Sequence, residues 1–258
     1  MIDLTKNCGF PVYLNEKKLF FPSETKQIIP DIRTIKQMQS VLRTPKSEWP
    51  NECYYMYRGV NALKDEKKIN SIQLRFDLTV IPPALLGEEF NKTFGHFHPK
   101  NSAGTYFPEI YEVISGKALY LLQKTDGAEF YAVNAKQGQK LIIPPGFGHV
   151  TINPSLDEVL VMANWIEKNF KSDYGNIKEN HGAMHYFTHY GFEENMNYAE
   201  HVKAKELNAV EFPKLSVTKK PMYLEGISNP EKFDWLVKPE EYGKEFKEYL
   251  KELIKKKA

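Results

Sequence analysis

From residue 52 onward, apolar and polar positions alternate in short runs, and turn-forming residues separate the runs. Such alternation marks half-buried strands, because successive side chains on a strand face opposite ways. The runs predict strands over 52–57, 71–80, 95–99, 109–115, 119–124, 129–134, 140–143, 150–153 and 159–165. Between them sit the breakers Pro82-Pro83, Gly116, Asp126-Gly127, Gly138, Pro144-Pro145-Gly146 and Pro154. Asp126-Gly127 predicts a hairpin closed by a type I′ turn. Residues 95–165 leave no room for crossover helices, so this stretch is antiparallel. Regular short strands with turn signals predict a sandwich or barrel.

The flanks follow another period. Ile35, Met38 and Leu42, preceded by Pro30, predict a short helix over 31–42. Tyr242, Phe246, Tyr249, Leu250, Leu253 and Ile254 predict an amphipathic C-terminal helix of about four turns, suited to packing on the body or on a second subunit. The chain therefore divides into an N-terminal segment (1–50) packing on a barrel, the barrel itself (51–180), and a C-terminal extension (181–258).

Composition narrows the class. The 258 residues carry 35 Lys+Arg against 33 Asp+Glu, and 41% are hydrophobic, which excludes disordered, collagen-like and membrane-embedded chains. Aromatics at 13% suit a β-rich fold. The near-neutral charge gives no basis for nucleic-acid binding. Glu245, Glu248 and Glu252 dilute the basic face of the last helix, so membrane binding is not expected either. Residues 1–6 hold no apolar secretory core, and Cys8 and Cys53 make no disulfide framework; a cytoplasmic protein with reduced thiols is the expectation.

The candidate chemistry lies in the β region. His96 and His98 are two apart, so on a strand both imidazoles face one side. Glu109 opens the next predicted strand, and His149 follows the Pro-Pro-Gly turn. Three imidazoles and a carboxylate suit a divalent first-row metal with positions left open. Taken singly, each has an ordinary reading as a surface or hydrogen-bonded residue; together, with Gly116, Gly138, Pro144, Gly146 and Asn153 at their spacings, they form two long strings of fixed positions. Glu112 is a rival to Glu109 but lies one residue off the face shared by Glu109 and Tyr111. His181, His185 and His189 recur every four residues without a clear helical frame, and structural roles suit them better than a second metal site.

The two strings resemble the paired signatures of the cupin superfamily, small jelly-roll β-barrels. A narrower resemblance, over about residues 50 to 180, is to the cupin-type glucose-6-phosphate isomerases. It rests on Thr93-Phe94-Gly95-His96-Phe97-His98-Pro99-Lys100, Glu109-Ile110-Tyr111, Gly116-Lys117, Leu121-Leu122-Gln123, Pro144-Pro145, His149 and Asp173-Tyr174-Gly175. The resemblance implies a mainly β fold, a cupin jelly-roll barrel with a short N-terminal helix and an α-helical C-terminal extension. It implies one divalent metal per subunit on His96, His98, Glu109 and His149, either Fe(II) or Mn(II), with Zn, Ni and Co also compatible. Phosphate contacts carry over to Thr79, Thr93, Gly95 and Tyr174, and a sugar contact to Tyr111. Lys100 would add a charge. A homodimer in the cytoplasm is implied as well.

The sequence departs from the family in three places. Ten residues separate His98 from Glu109, more than in many cupins. A family tyrosine near the end of the 159–165 strand is replaced by Trp165 or displaced by one residue, and a family histidine becomes Ser172. Both of these substitutions are expected near the substrate. The implied reaction interconverts glucose 6-phosphate and fructose 6-phosphate. It proceeds through an enediol with Glu109 as base, or through a direct hydride shift that needs none. The rival readings are an isomerase of another sugar phosphate such as mannose 6-phosphate, an iron dioxygenase with the same ligands, and a non-catalytic sugar-binding cupin.

Overall fold

The computed structural model describes residues 1–169 and 171–258. Ten strands form two main sheets: β1 (Asp31–Thr34), β2 (Glu52–Arg58), β3 (Leu74–Ile81), β4 (Glu109–Ser115), β5 (Lys117–Lys124), β6 (Phe130–Lys136), β7 (Lys140–Ile143), β8 (Phe147–Ile152), β9 (Leu160–Glu167) and β10 (Lys205–Asn208). The larger sheet runs β7-β4-β9-β3-β2-β1 and the smaller β8-β5-β6-β10. From β4 to β9 the chain crosses repeatedly between the sheets, as a closed jelly-roll requires. The ladders within these sheets are antiparallel except that of β6 with β10, which is parallel. The fold is mainly β, with helices at its margins, as expected.

Two local elements differ from the pattern. The helix expected over 31–42 is split. β1 pairs with β2 as an edge strand, α1 (Ile35–Met38) follows, and a 3-10 turn covers Gln39–Val41. Thr34 ends the strand because it caps α1. Its hydroxyl accepts from the Gln37 N–H, and Gln37 Oε1 accepts from the Thr34 N–H at 2.9 Å. The β5–β6 hairpin forms, but only Gly127 has a positive φ, of 72°. Its N–H donates to Lys124 O at 2.9 Å, giving a type I turn followed by a left-handed glycine in place of type I′. Gly116 behaves as its position predicts: φ is +82°, and an added Cβ would stand 2.8 Å from Val159 O, so the β4–β5 turn admits no side chain there.

The C-terminal residues are fastened to the outer face of the larger sheet. Trp165 on β9 donates from Nε1 to Met222 O at 3.1 Å, and Tyr223 stacks on its ring. Both residues belong to α2 (Met222–Ser228). The amphipathic helix is present as α3 (Gly243–Lys255), with Phe246, Tyr249 and Leu253 buried and the Tyr249 hydroxyl accepting from the Ile142 N–H at 3.1 Å. Glu112, on the outward face of β4, accepts from the Met222 N–H at 2.7 Å and pairs with Lys140 at 3.2 Å. Lys140 Nζ donates to the carbonyls of Thr218 and Lys220, both at 2.6 Å. Cys8 and Cys53 are buried and free. Among the described residues no helix is long and apolar enough to cross a membrane.

Burial pushes the Glu112 carboxyl up to about 7, against the opposing pull of Lys140 and the Met222 N–H. A carboxyl raised by folding stabilises the fold fully below its unfolded value and loses that contribution as pH rises through the folded value. Relative to Glu112→Gln, the unfolding free energy of the wild type is therefore expected to fall between about pH 4.5 and 7. Urea denaturation across this range measures it; a pH-independent difference between the two proteins would contradict the assignment.

Candidate metal centre and cavity

Three segments converge on one point inside the barrel. His149 lies on β8, just past the turn that Gly146 makes with φ +83°. Asn153 holds the exit of β8, donating to Ile81 O at 2.9 Å and Glu158 O at 2.8 Å. Glu109 is the first residue of β4. The His96–His98 segment is extended as predicted, but it is held by single bridges and is not a continuous strand. His96 exchanges backbone hydrogen bonds with His149 at 3.0 and 3.1 Å, and Phe97 does so with Asp173 at 2.8 and 2.9 Å. Alternation turns both imidazoles inward and leaves Phe97 over Gly148, where an added Cβ would meet its ring at 2.7 Å.

One nitrogen or oxygen from each of His96, His98, Glu109 and His149 lies within 4.8 Å of the others. Glu109 Oε2 stands 3.3 Å from His98 Nε2 and 3.2 Å from His149 Nε2. Phe107 O lies 2.8 Å from His98 Nδ1 and can only accept, so that nitrogen carries the proton. His98 Nε2 faces the Glu109 carboxylate. The other side of the carboxylate is fixed by Asn164, whose Nδ2 donates to Glu109 Oε1 at 2.7 Å.

The electrostatics point the same way. Burial pushes the Glu109 carboxyl up, but the His149 and His98 imidazoles outweigh it, and the net direction is below the usual carboxylate range. Burial pushes His96 well down, and the charges of His149 and His98 push it further. Burial also lowers His149, against the pull of Glu109. The directions for Glu109, His96 and His149 favour the deprotonated forms that metal binding needs. His96 Nε2, His149 Nε2 and Glu109 Oε2 are buried without hydrogen bonds. Buried polar atoms are rarely left so, and a divalent cation among these donors would satisfy them. The residues fit such an ion.

A cavity of about 340 Å³ opens from this cluster. Its walls hold Thr79, Thr93, Gly95, His96, Glu109, Tyr111, His149 and Tyr174, while the remaining donor, His98, stands behind the wall within the cluster. The Tyr174 ring packs edge-on against Phe94, and Arg33 lies 5.3 Å from the Phe94 ring and 6.0 Å from that of Tyr174. Glu112 faces away from the cluster, which resolves its rivalry with Glu109. Lys100 is exposed beside Tyr106 and does not line the cavity. The cations that do are Arg58, Arg75 and Lys171. Arg75 forks Asp77, with both Nε and Nη2 at 2.8 Å, and Asp77 also accepts from the Gly59 N–H at 2.8 Å.

Sequence reasoning missed Arg75 and Asp77, although the signal was present: on a strand they share the face of Thr79. The same rule corrects the expectation for Trp165. On β9 the cavity face is Met162, Asn164 and Ile166, so Trp165 points outward to α2 and takes no part in the site. Ser172 does line the cavity. His185 and His201 bond to the carbonyls of Val202 and Asn195, and the regularly spaced histidines form no second metal cluster among the described residues.

A family model described as Glucose-6-phosphate isomerase (GPI) matches residues 28–203, more than half of the chain. Among curated relatives, a glucose-6-phosphate isomerase of Thermococcus onnurineus is 35% identical over 120 residues, and one of Thermococcus kodakarensis is 36% identical over 121. Each match covers 46% of this chain and 59% of the relative, so the chain spans less than two thirds of the relatives' length. Among solved structures, an oxalate oxidase with bound glycolate shares 18% identity at a TM-score of 0.32, covering 40% of this chain and 46% of that one. A variant of Bacillus subtilis oxalate decarboxylase shares 23% at 0.35, covering 48% and 28%.

A metal held by this cluster would make thermal stability depend on that metal. Adding Mn(II) to chelator-treated protein at 100 times its Kd is expected to stabilise the fold by about 2.7 kcal/mol, read as a rise in Tm. His149→Ala should abolish most of that rise. An unchanged Tm in the wild type would show that the cluster holds no metal.

Proposed function

The chain belongs to the glucose-6-phosphate isomerase family, and from that premise we propose that it is a metal-dependent aldose–ketose isomerase interconverting glucose 6-phosphate and fructose 6-phosphate. The observation that supports this most is one cavity in which a three-histidine, one-carboxylate donor set adjoins threonine and tyrosine hydroxyls. A dioxygenase has no use for such hydroxyl donors, and a store or sensor has no need of an open metal position.

His96, His98, Glu109 and His149 would hold one divalent cation, Fe(II) or Mn(II) in the cell. When bound, such an ion supplies Lewis-acid polarisation of two neighbouring sugar oxygens. The remaining work belongs to the chain. Thr79, Thr93, the Gly95 N–H and Tyr174 bind the phosphate as neutral donors to an anion, and Tyr111 contacts the sugar. Glu109 acts as base: it takes the proton from C2 of the aldose as O1 gains a proton, giving the enediol; a proton is then delivered to C1 as O2 gives up its own, leaving the ketose. A carboxylate has about four acceptor positions, so accepting one hydrogen bond from Asn164 leaves room for a proton. We propose further that the protein is a cytoplasmic homodimer. The outer edge of β1, which ends the larger sheet, supports self-association, since open edges favour pairing.

The test supplies fructose 6-phosphate to chelator-stripped protein and detects glucose 6-phosphate. Mn(II) or Fe(II) is expected to restore turnover, and His96→Ala or His149→Ala to lose it. Glu109→Gln should lower kcat by about 100- to 10,000-fold. In D₂O the enediol route places solvent deuterium at C2 of the glucose 6-phosphate formed; complete retention of the original hydrogen would replace this route with a hydride shift. Metal binding without turnover would overturn the substrate assignment and direct the assay to mannose 6-phosphate, then to oxygen uptake.

A further inference from the structure

Asn164 is the one residue of the β9 cavity face able to donate a hydrogen bond, since its neighbours on that face are Met162 and Ile166. It lies opposite Tyr111 in the ladder of β9 with β4. Both it and Glu109 are buried, at 5% and 2% exposure, and their contact of 2.7 Å runs from an amide N–H to a carboxylate oxygen. That bond occupies Oε1. It leaves Oε2 as the oxygen that meets His98 and His149 at 3.3 and 3.2 Å.

The residue type matters. A carboxylate can present either oxygen, and rotation about its last bond is soft. An amide donor on one side selects a single orientation. It does so without neutralising the carboxylate, as a lysine or arginine would, and without repelling it, as an aspartate would. The bond crosses between two adjacent strands of the same sheet, so the donor is as fixed as the backbone ladder beneath it.

We propose that Asn164 is a positioning residue for the metal centre: it locks Glu109 with Oε2 toward the three histidines and thereby sets the affinity of the cluster for divalent cations. This rests on the reading of the four residues as a metal site, and not on which sugar is turned over.

The test is Mn(II) binding to the chelator-stripped full chain without sugar, with free Mn(II) followed by electron paramagnetic resonance. Asn164→Leu, close in volume but unable to donate, and Asn164→Ala are each expected to raise the Kd by about 10- to 100-fold. Asn164→Gln, which keeps the amide, should recover part of the loss. Unchanged affinity in folded Asn164→Leu and Asn164→Ala would overturn the proposal. If neither variant folds, the wild type decides: the Asn164 side-chain amide should be protected from solvent exchange and should shift on titration with diamagnetic Zn(II). A rapidly exchanging amide that ignores Zn(II) would overturn it equally. If the wild type binds no Mn(II), the metal reading itself fails, and that outcome is distinct from either.

Discussion

Glu109 Oε2 and the inward nitrogens of His98 and His149 set the terms for the rest of the barrel. The two nitrogens stand 3.3 and 3.2 Å from that oxygen in a buried place. Such an arrangement takes polar groups out of water at a cost in free energy, against which carboxylate and imidazoles attract one another. It exists because the backbone ladders impose it. The two-way hydrogen bonding of His96 with His149 fixes one pair of imidazoles, and the start of β4 fixes the carboxylate. The aromatic and aliphatic core behind these strands keeps them from relaxing apart.

β4 shows how strand geometry divides labour between like residues. Glu109 and Glu112 are three apart and chemically alike, yet they fall on opposite faces. Among imidazoles, Glu109 is driven toward the ionised state; beneath the C-terminal segment, Glu112 is driven toward the neutral one. The first serves the cavity. The second, with Lys140, ties the backbone of residues 218–222 to the back of the same sheet. Trp165 does likewise from β9, while its neighbours Asn164 and Ile166 face inward. Site and scaffold are thus two faces of one pair of strands.

Much of this was legible in the sequence, since period-two alternation and fixed glycine and proline positions are local. The positions of most barrel strands along the chain, the inward pair His96 and His98, the choice of Glu109 over Glu112 and the final helix all follow from such signals. What could not be read depended on partners distant in sequence. β1 is a strand because β2 lies beside it, and Thr34 is a cap because the chain must then turn. Whether Trp165 or Asn164 faces the cavity depends on the register of β9 against β4, which is interrupted by a bulge between Val161 and Met162. Arg75 and Asp77 needed only the alternation rule applied backward from Thr79, and there the signal was available.

The parallel pairing of β6 with β10 also bears on how the chain reaches its fold. Tyr131 is matched with Lys205 and Asn134 with Asn208, so this ladder joins segments far apart in sequence. Contacts of such separation form slowly, because a long loop must close before any ladder bond is gained. On a ribosome, β5 and β6 emerge as a hairpin well before their last partner is made. Until it arrives, the outer edge of β6 offers a row of free backbone groups to any neighbouring nascent chain. In the folded chain β10 therefore covers an edge that the β5–β6 hairpin alone would leave open.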